Sequence, residues 1–581
     1  MCGIVGLIGG GDAKAAEAMA RTLVHRGPNG LRVEAIERPE GRVSGALAHA
    51  RLSVIDLEGG WQPLHAAGCT VIGNGEIYNY KELAEEFGLT DRLATGSDFE
   101  PLLHLYARMG EAAFDRLRGM YAFCLVGQDG RVWLVRDPFG IKPLYYRQVG
   151  PVLQFASEPR ALLQPVLGAP PVEAEALQDL LAFNYSVGRN TVFQGVRQLK
   201  PGEVCEVVYG RPAPRRVRSA LPQPLPLPHD EQGLVSTLDR VLEDSVAVHQ
   251  RSDVPYGLFL SGGVDSAVIA TLMARLNARP VTAFTCGFEA ASGRTGVRDE
   301  RPQAEKTARA LKLDWREVTF TEDDFWRILP EVAWALDEPT TDYAILPTFR
   351  LGEAARDRLT VVLTGEGGDE LFAGYGRYRR ALRPALLGGR DAGPRADTPL
   401  LRDQGRSALE RWRQATKPPE GLSVLQRAQY RDIAGWLPGD LLLKLDRCLM
   451  AHGMEGRTPF LDPEVARLAF WLADRWKVRG RQGKWLLRRW LQRHCPAAEP
   501  FARKAGFTTP VKAWIAPRAA ALGPRIAEVA GVRQLSDPET VRTVFRDDRL
   551  ADHRWPLLFL AVWWGVHIER LAPQQALDRL L

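Results

Sequence analysis

The chain has 581 residues, more than one core can organise, because single cores stop growing at about 250–300 residues. Hydrophobic residues make up 45% and charged residues 25%, an ordinary globular composition that argues against a disordered or collagen-like chain. The net charge of +6 is the difference between 76 basic and 70 acidic residues, and the absence of a concentrated basic stripe argues against a nucleic-acid binder.

In chain order, the first two hundred residues alternate short β-type runs with a few helices. The pattern predicts strands at Ile4–Ile8, Val43–Ala50, Cys69–Gly73, Met120–Val126 and Val132–Arg136. It predicts helices at Ala13–Leu23 and Glu100–Arg108. Many antiparallel strands with few helices imply stacked sheets with helices outside. The stretch Arg211–Pro228 holds six prolines and is expected to be an extended linker. Domains are therefore drawn at 2–210 and 231–581, with a linker over 211–230.

Beyond the linker, Leu234, Leu238, Val241, Leu242, Ser245 and Val248 mark one helix face. Strands Tyr256–Leu260, Val281–Phe288, Trp315–Phe320 and Thr360–Leu363 then alternate with helices Ala267–Leu276 and Gln303–Leu313, predicting a parallel sheet covered on both faces. The remainder reads as mostly helical. The apolar run Trp555–Val566 is too short for the roughly 20 residues a bilayer requires and is expected to be a core helix. Seven cysteines without a C-x-x-C pair suggest reduced thiols. The opening also lacks the basic segment of a secretory signal, so a cytoplasmic location is expected.

Two patterns carry chemistry. Cys2 directly follows Met1, and removal of Met1 would leave a thiol and a free α-amine on one residue. Such an amine has an ordinary pKa of about 7.7–8.0 and can accept the thiol proton near neutral pH, so the nucleophile brings its own base. Position alone leaves an incidental buried cysteine open.

The blocks that follow decide between them. They are His25-Arg26-Gly27-Pro28, Ala48-His49-Ala50-Arg51-Leu52-Ser53, Asn74-Gly75-Glu76-Ile77-Tyr78-Asn79, Gly96-Ser97-Asp98, Arg136-Asp137-Pro138-Phe139-Gly140 and Phe155-Ala156-Ser157-Glu158. With Met1-Cys2-Gly3-Ile4-Val5-Gly6 they resemble the N-terminal-nucleophile glutamine amidotransferases, in that family's order. The resemblance implies an αββα sandwich in which Cys2 attacks glutamine. It further implies an oxyanion hole from Asn74 and Gly75, an Arg51 grip on the α-carboxylate, Glu76 and Asp98 on the α-ammonium, and Val54 beside the glutamine. A guanidinium fork suits a carboxylate, and oxyanion donors typically supply about 2.7–4 kcal/mol each.

The second pattern is Ser261-Gly262-Gly263-Val264-Asp265-Ser266, set between an apolar strand and an apolar helix. Two glycines let backbone approach phosphate closely, and a helix N-terminus favours negative charge. No G-K-[ST] follows, so this is not a Walker A loop. It resembles the loop of ATP pyrophosphatases, which cut ATP between the α and β phosphates. Thr364-Gly365-Glu366-Gly367-Gly368-Asp369-Glu370-Leu371-Phe372-Ala373-Gly374-Tyr375 resembles a block of the asparagine synthetases. Asp337-Glu338-Pro339, the stretch from Leu443 to Asp462 and Arg503-Lys504-Ala505-Gly506-Phe507 extend that resemblance to about Trp514.

The resemblance to the glutamine-hydrolysing asparagine synthetases implies α/β and α+β halves. The glutaminase sandwich would be followed by a Rossmann-like parallel-sheet ATP-pyrophosphatase domain with a mostly helical C-terminal part. Phe259, Ser261, Gly262, Gly263, Ser266, Cys286, Thr364, Gly365, Tyr375 and Lys504 would meet ATP, Asp265 and Asp369 would carry Mg²⁺, and Glu366 would stand at the acyl-adenylate. Glutamine, aspartate and ATP are the implied substrates, with neither nucleic acid nor membrane as partner, and the family often dimerises. Departures at Asn29, Ala48, Tyr343, Thr364, Gly456 and Thr458 leave the reaction class intact but weaken the acceptor's identity. A paralogue amidating a sugar acid or a peptide carboxylate is therefore kept as the alternative.

Overall fold

The computed structural model describes residues 2–37, 44–163, 168–224, 226–289, 299–383, 393–394, 398–502 and 509–581. Twelve strands come first: β1 (Gly3–Ile8), β2 (Leu31–Glu37), β3 (Ser44–Ala50), β4 (Leu64–Ala66), β5 (Cys69–Ile77) and β6 (Gly119–Val126). The other six are β7 (Val132–Arg136), β8 (Tyr145–Val149), β9 (Val152–Ala156), β10 (Val196–Gln198), β11 (Glu203–Val208) and β12 (Arg211–Val217). They form two six-stranded antiparallel sheets, ordered β10-β8-β9-β1-β3-β2 and β12-β11-β7-β6-β5-β4.

Side-chain alternation explains the layering. In β1, Ile4 and Ile8 enter the core between the sheets, while Val5 and Leu7 meet the helix Ala13–Arg21 outside. In β6, Ala122, Cys124 and Val126 point between the sheets, and Tyr121, Phe123 and Leu125 point to the helix Glu100–Met109 on the other side. Both faces of each central strand are buried, which is why these strands read as continuous apolar runs. The result is the expected αββα sandwich.

One expectation fails in part. Arg211–Val217, predicted to open the linker, is strand β12, paired along β11. Its prolines, Pro212 and Pro214, are tolerated because β12 is an edge strand, where a missing N–H costs no ladder bond. Proline content alone therefore misread a sheet edge as a connector.

The second half is built on β13 (Tyr256–Phe259), β14 (Thr282–Phe288), β15 (Asp314–Phe320), β16 (Val361–Leu363) and β17 (Glu455–Arg457). The sheet is parallel throughout, ordered β15-β14-β13-β16-β17. Leu258, Ala283, Val361 and Leu363 face one helical layer, and Phe284, Val318 and Val362 face the other. The chain adds strands leftward from β13 and then returns to its other side with β16. A crevice therefore opens at the carboxyl ends of β13 and β16, where such sheets bind ligands. The helix Arg554–His567 is buried in the core, and its Trp555 and Trp563 indoles donate to the carbonyls of Thr341 and Leu336 at 2.7 and 2.8 Å. Among the described residues, no helix is long and apolar enough to cross a membrane.

A buried ionic seam joins the halves. Arg26 donates to Glu158 at 2.8 Å and to Asp446 at 2.7 and 3.1 Å. Arg447 lies 3.3 Å from Glu158 and 3.2 Å from Asp337, and Arg160 lies 2.9 Å from Glu158. Three guanidinium groups thus face three carboxylates, almost fully excluded from water. Burial pushes the Glu158 and Asp446 carboxyls upward, but His25, Arg447 and Arg160 hold Glu158, and Arg26 holds Asp446, below the usual carboxylate range. Carboxyls depressed in the folded state stabilise it at neutral pH, and that contribution is lost as pH falls below about 4.

Removing one member strands a buried charge, which costs about 3–5 kcal/mol. Asp446→Ala should lower the denaturant midpoint markedly. Glu528→Ala, in a pair whose Glu528 and Arg542 side chains are 58% and 30% exposed, should change stability by at most about 1 kcal/mol. Equal shifts for the two variants would contradict a stabilising seam.

Candidate active sites

Cys2 opens β1, and its backbone N–H donates to Asn74 Oδ1 at 3.1 Å, placing the thiol at the end of β5. Asn74 is fully buried, and its Nδ2 finds no hydrogen-bond partner among the described residues. An orphan amide donor beside a thiol is available to an oxyanion. Gly75 has φ +135°, and a Cβ there would meet the Met120 carbonyl at 2.0 Å, so only glycine lets the backbone pass.

Around the thiol is a small cavity of about 30 Å³, lined among others by Arg51, Val54, Glu76, Asp98 and His49. Arg51 is oriented by the carbonyls of Leu57 (3.0 Å) and Asp56 (2.5 Å) and lies over the Trp61 ring at 4.8 Å. Asp98 accepts from the Ile77 N–H at 2.7 Å, yet burial pushes its carboxyl up to about 7. The Glu76 carboxyl is also raised, by burial and by Asp98. Two buried carboxyls raised in this way would be relieved by an ammonium. Sequence reasoning gave His49 no role. Both its ring nitrogens are buried without partners among the described residues, and burial with Arg51 lowers it to about 3, so it is a neutral imidazole in the pocket wall.

The second site occupies the crevice predicted by strand order. The loop after β13 is held by Ser261, whose N–H donates to Ser266 Oγ at 3.1 Å and whose Oγ accepts from Gly263 N–H at 3.2 Å. This closes a tight turn into the helix Val264–Leu276 and leaves its first N–H groups facing the crevice. The loop after β16 brings Asp369 beside Asp265, and Lys484 contacts both carboxylates, Asp369 at 2.6 Å. A Cβ on Gly374 would stand 1.7 Å from Asp369, so the chain crosses there at the closest approach glycine permits.

Gly262, Gly263, Asp369, Lys484 and Arg488 line a cleft of about 150 Å³. Phe259, Thr364 and Gly365 sit at or just beyond the ends of β13 and β16, and Tyr375 lines an adjoining recess. Cys286 is buried in β14, with its thiol pushed up to about 12 by burial, which suits an inert wall. Glu366 is partly exposed, within electrostatic reach of buried Lys444. Lys504 lies outside the described residues. Lys484 escaped sequence reasoning because it sits 219 residues from Asp265, and nothing local to Gly480–Gly483 ties it to that carboxylate.

Arg457 touches both sites. Its Nη2 lies 3.5 Å from Glu76, its Nε donates to Glu455 at 2.5 Å, and its carbonyl accepts from Thr364 N–H at 2.9 Å. A single residue on β17 therefore braces Glu76 and the nucleotide-side loop.

An antiparallel sandwich with a cysteine at its mouth, fused to a parallel sheet with a phosphate-type crevice, defines a two-site amidotransferase architecture. Residues 1–216 match the family model for the glutamine amidotransferase domain, and residues 237–565 match that for asparagine synthase. A putative glutamine-hydrolysing asparagine synthetase of Mycobacterium tuberculosis is 33% identical, over 99% of this chain and 98% of the relative. Glutamine-hydrolysing asparagine synthetase 1 of Bacillus subtilis is 30% identical, over 98% and 97%. Asparagine synthetase B of Escherichia coli is 28% identical, over 92% and 84%. The chain belongs to the asparagine synthase family, a family of ligases.

The raised Asp98 carboxyl makes a pH prediction. A carboxyl titrating near 7 carries charge only above that value, so an amino-acid ammonium binds better above pH 7 than below it. The KM for glutamine should rise as pH falls through about 7. Asp98→Asn should raise it by about tenfold or more above pH 7, the value of a hydrogen bond to a charged group, and change it little below pH 7, which flattens the dependence. A steep pH dependence persisting in that variant would exclude Asp98 as the titrating group.

Proposed function

We propose that this chain is a glutamine-hydrolysing asparagine synthetase that uses ATP to amidate the side-chain carboxylate of aspartate. The reading rests on one observation above the rest: Glu76 in the pocket around Cys2 and Thr364, on the loop that faces Ser261–Ser266 across the crevice, are both held by the same residue, Arg457. The two halves divide between the end of β12 at Val217 and the helix that begins at Glu231.

In the first site, the α-amine exposed by loss of Met1 takes the Cys2 thiol proton, and the thiolate attacks the glutamine carboxamide. Asn74 Nδ2 and the Gly75 N–H stabilise the oxyanion, ammonia leaves, and water hydrolyses the thioester to glutamate. Arg51 holds the α-carboxylate, and Glu76 with Asp98 holds the α-ammonium.

In the second site, the loop Ser261–Ser266 presents N–H groups to the phosphates of ATP, and the aspartate carboxylate displaces pyrophosphate from the α-phosphorus. Ammonia then attacks the β-aspartyl adenylate, Glu366 takes the surplus proton, and asparagine and AMP are released. Mg²⁺ fits Asp265 and Asp369, because these two carboxylates already converge on the Lys484 ammonium and the ion typically takes only one or two carboxylates besides phosphate oxygens. When bound, it would neutralise phosphate charge. Ammonia would pass between the sites through the apolar contact where Leu52, Met120 and Ile141 pack with Phe460 and Leu461.

Two measurements test this. Cys2→Ala should abolish glutamine-dependent synthesis and leave ammonia-dependent synthesis intact; loss of both would break the two-site reading. With the intact chain, glutamine, Mg-ATP and a panel of carboxylates led by aspartate should yield asparagine with equal AMP and pyrophosphate. Pyrophosphate formed with a sugar acid or peptide carboxylate, but not with aspartate, would move the chain to the alternative acceptor.

A further inference from the structure

Beside the nucleotide cleft lies a second, larger recess of about 760 Å³. The two share Gly374, Arg488 and Ala502 as a common rim, so they are contiguous. Their charges differ. The cleft wall sets Asp299, Glu300, Asp369 and Glu499 against Lys484 and Arg488, whereas the recess wall carries Arg379, Arg481 and Arg488 and, among the described residues, no acidic residue.

Arg379 donates to the Gly374 carbonyl at 3.2 Å. Arg488 donates to the carbonyls of Gly483, at 2.8 Å, and Pro500. Arg481 is exposed. Among the described residues, none of the three has a carboxylate within ion-pair distance. Arg488 is only 7% exposed, so one of these charges is buried on backbone carbonyls alone. Desolvation lowers its proton affinity most, Asp265 and Asp369 raise it from beyond ion-pair distance, and the nearby Arg379 lowers it again. Guanidinium groups gathered against their mutual repulsion need an anion, and planar forks suit phosphate oxygens best.

We propose that this recess is a pyrophosphate site, separate from the nucleotide cleft, which receives the leaving group of the adenylation step. The inference rests on the ligase reading above, since that reaction must discharge pyrophosphate across the shared rim. The bond between the α-phosphorus and its bridging oxygen breaks in the cleft. The anion then moves from an acid-lined wall to an arginine-lined one, which biases departure over reversal.

The test is titration calorimetry on the full chain saturated with Mg²⁺ and α,β-methylene-ATP, with inorganic pyrophosphate as titrant. Pyrophosphate should still bind with the cleft filled. Arg481→Glu should weaken it at least tenfold, and Arg379→Glu with Arg481→Glu should abolish it, while affinity for the analogue changes less than about twofold. Arg481 is exposed and without a described partner, so its variant tests the site without disturbing packing. No pyrophosphate uptake with the analogue bound, or unchanged affinity in Arg481→Glu, would overturn the proposal alone. Failure of the analogue to bind at all would overturn the ligase reading and this proposal with it.

Discussion

The structure depends on a charge balance sealed from water. Arg26, Arg160 and Arg447 meet Glu158, Asp337 and Asp446 at the contact between the two halves. Such a cluster is a weak source of net stability compared with apolar packing, but it is intolerant of partial assembly, because any missing partner leaves an uncompensated charge. It therefore selects one relative placement of the halves. Arg26 carries that placement to the reaction centre, since its Nε also donates to the Cys2 carbonyl at 3.3 Å.

The same logic runs through the sites themselves. In the pocket around Cys2, burial raises the Asp98 and Glu76 carboxyls, a cost that an ammonium ligand would relieve. In the nucleotide crevice, Asp265 and Asp369 are already bridged by Lys484, a protein cation standing where phosphate and metal charges would otherwise balance. Arg457 connects the two environments through its side chain on Glu76 and its carbonyl on Thr364. Charge placed by one half is answered by the other, which makes the pair of sites a single electrostatic unit.

Much of this was legible in the sequence. β1 and β6 were readable because both their faces are buried, and the parallel sheet was readable because single helices separate β13, β14 and β15 after Glu231. Cys2, Asn74, Gly75 and the Ser261–Ser266 loop were findable because each belongs to a short contiguous pattern tied to its chemistry. Strand β12 was not, since an edge strand bearing Pro212 and Pro214 has the composition of a linker. Strand β17 was also missed, because three residues of Glu-Gly-Arg carry no hydrophobic periodicity.

The sequence by itself determined the two architectures and marked Cys2, Asn74, Gly75 and the Ser261–Ser266 loop as candidates, because local spacing and backbone freedom shape all of these. Only the tertiary structure decided what depends on charges far apart in the chain. It placed Lys484 between Asp265 and Asp369, Arg457 between Glu76 and Thr364, and Arg26 on Asp446, 420 residues away. Coulomb pairing in a water-free interior acts over distance in space and leaves no periodic trace along the chain, so these partners become visible only once the fold has closed on them.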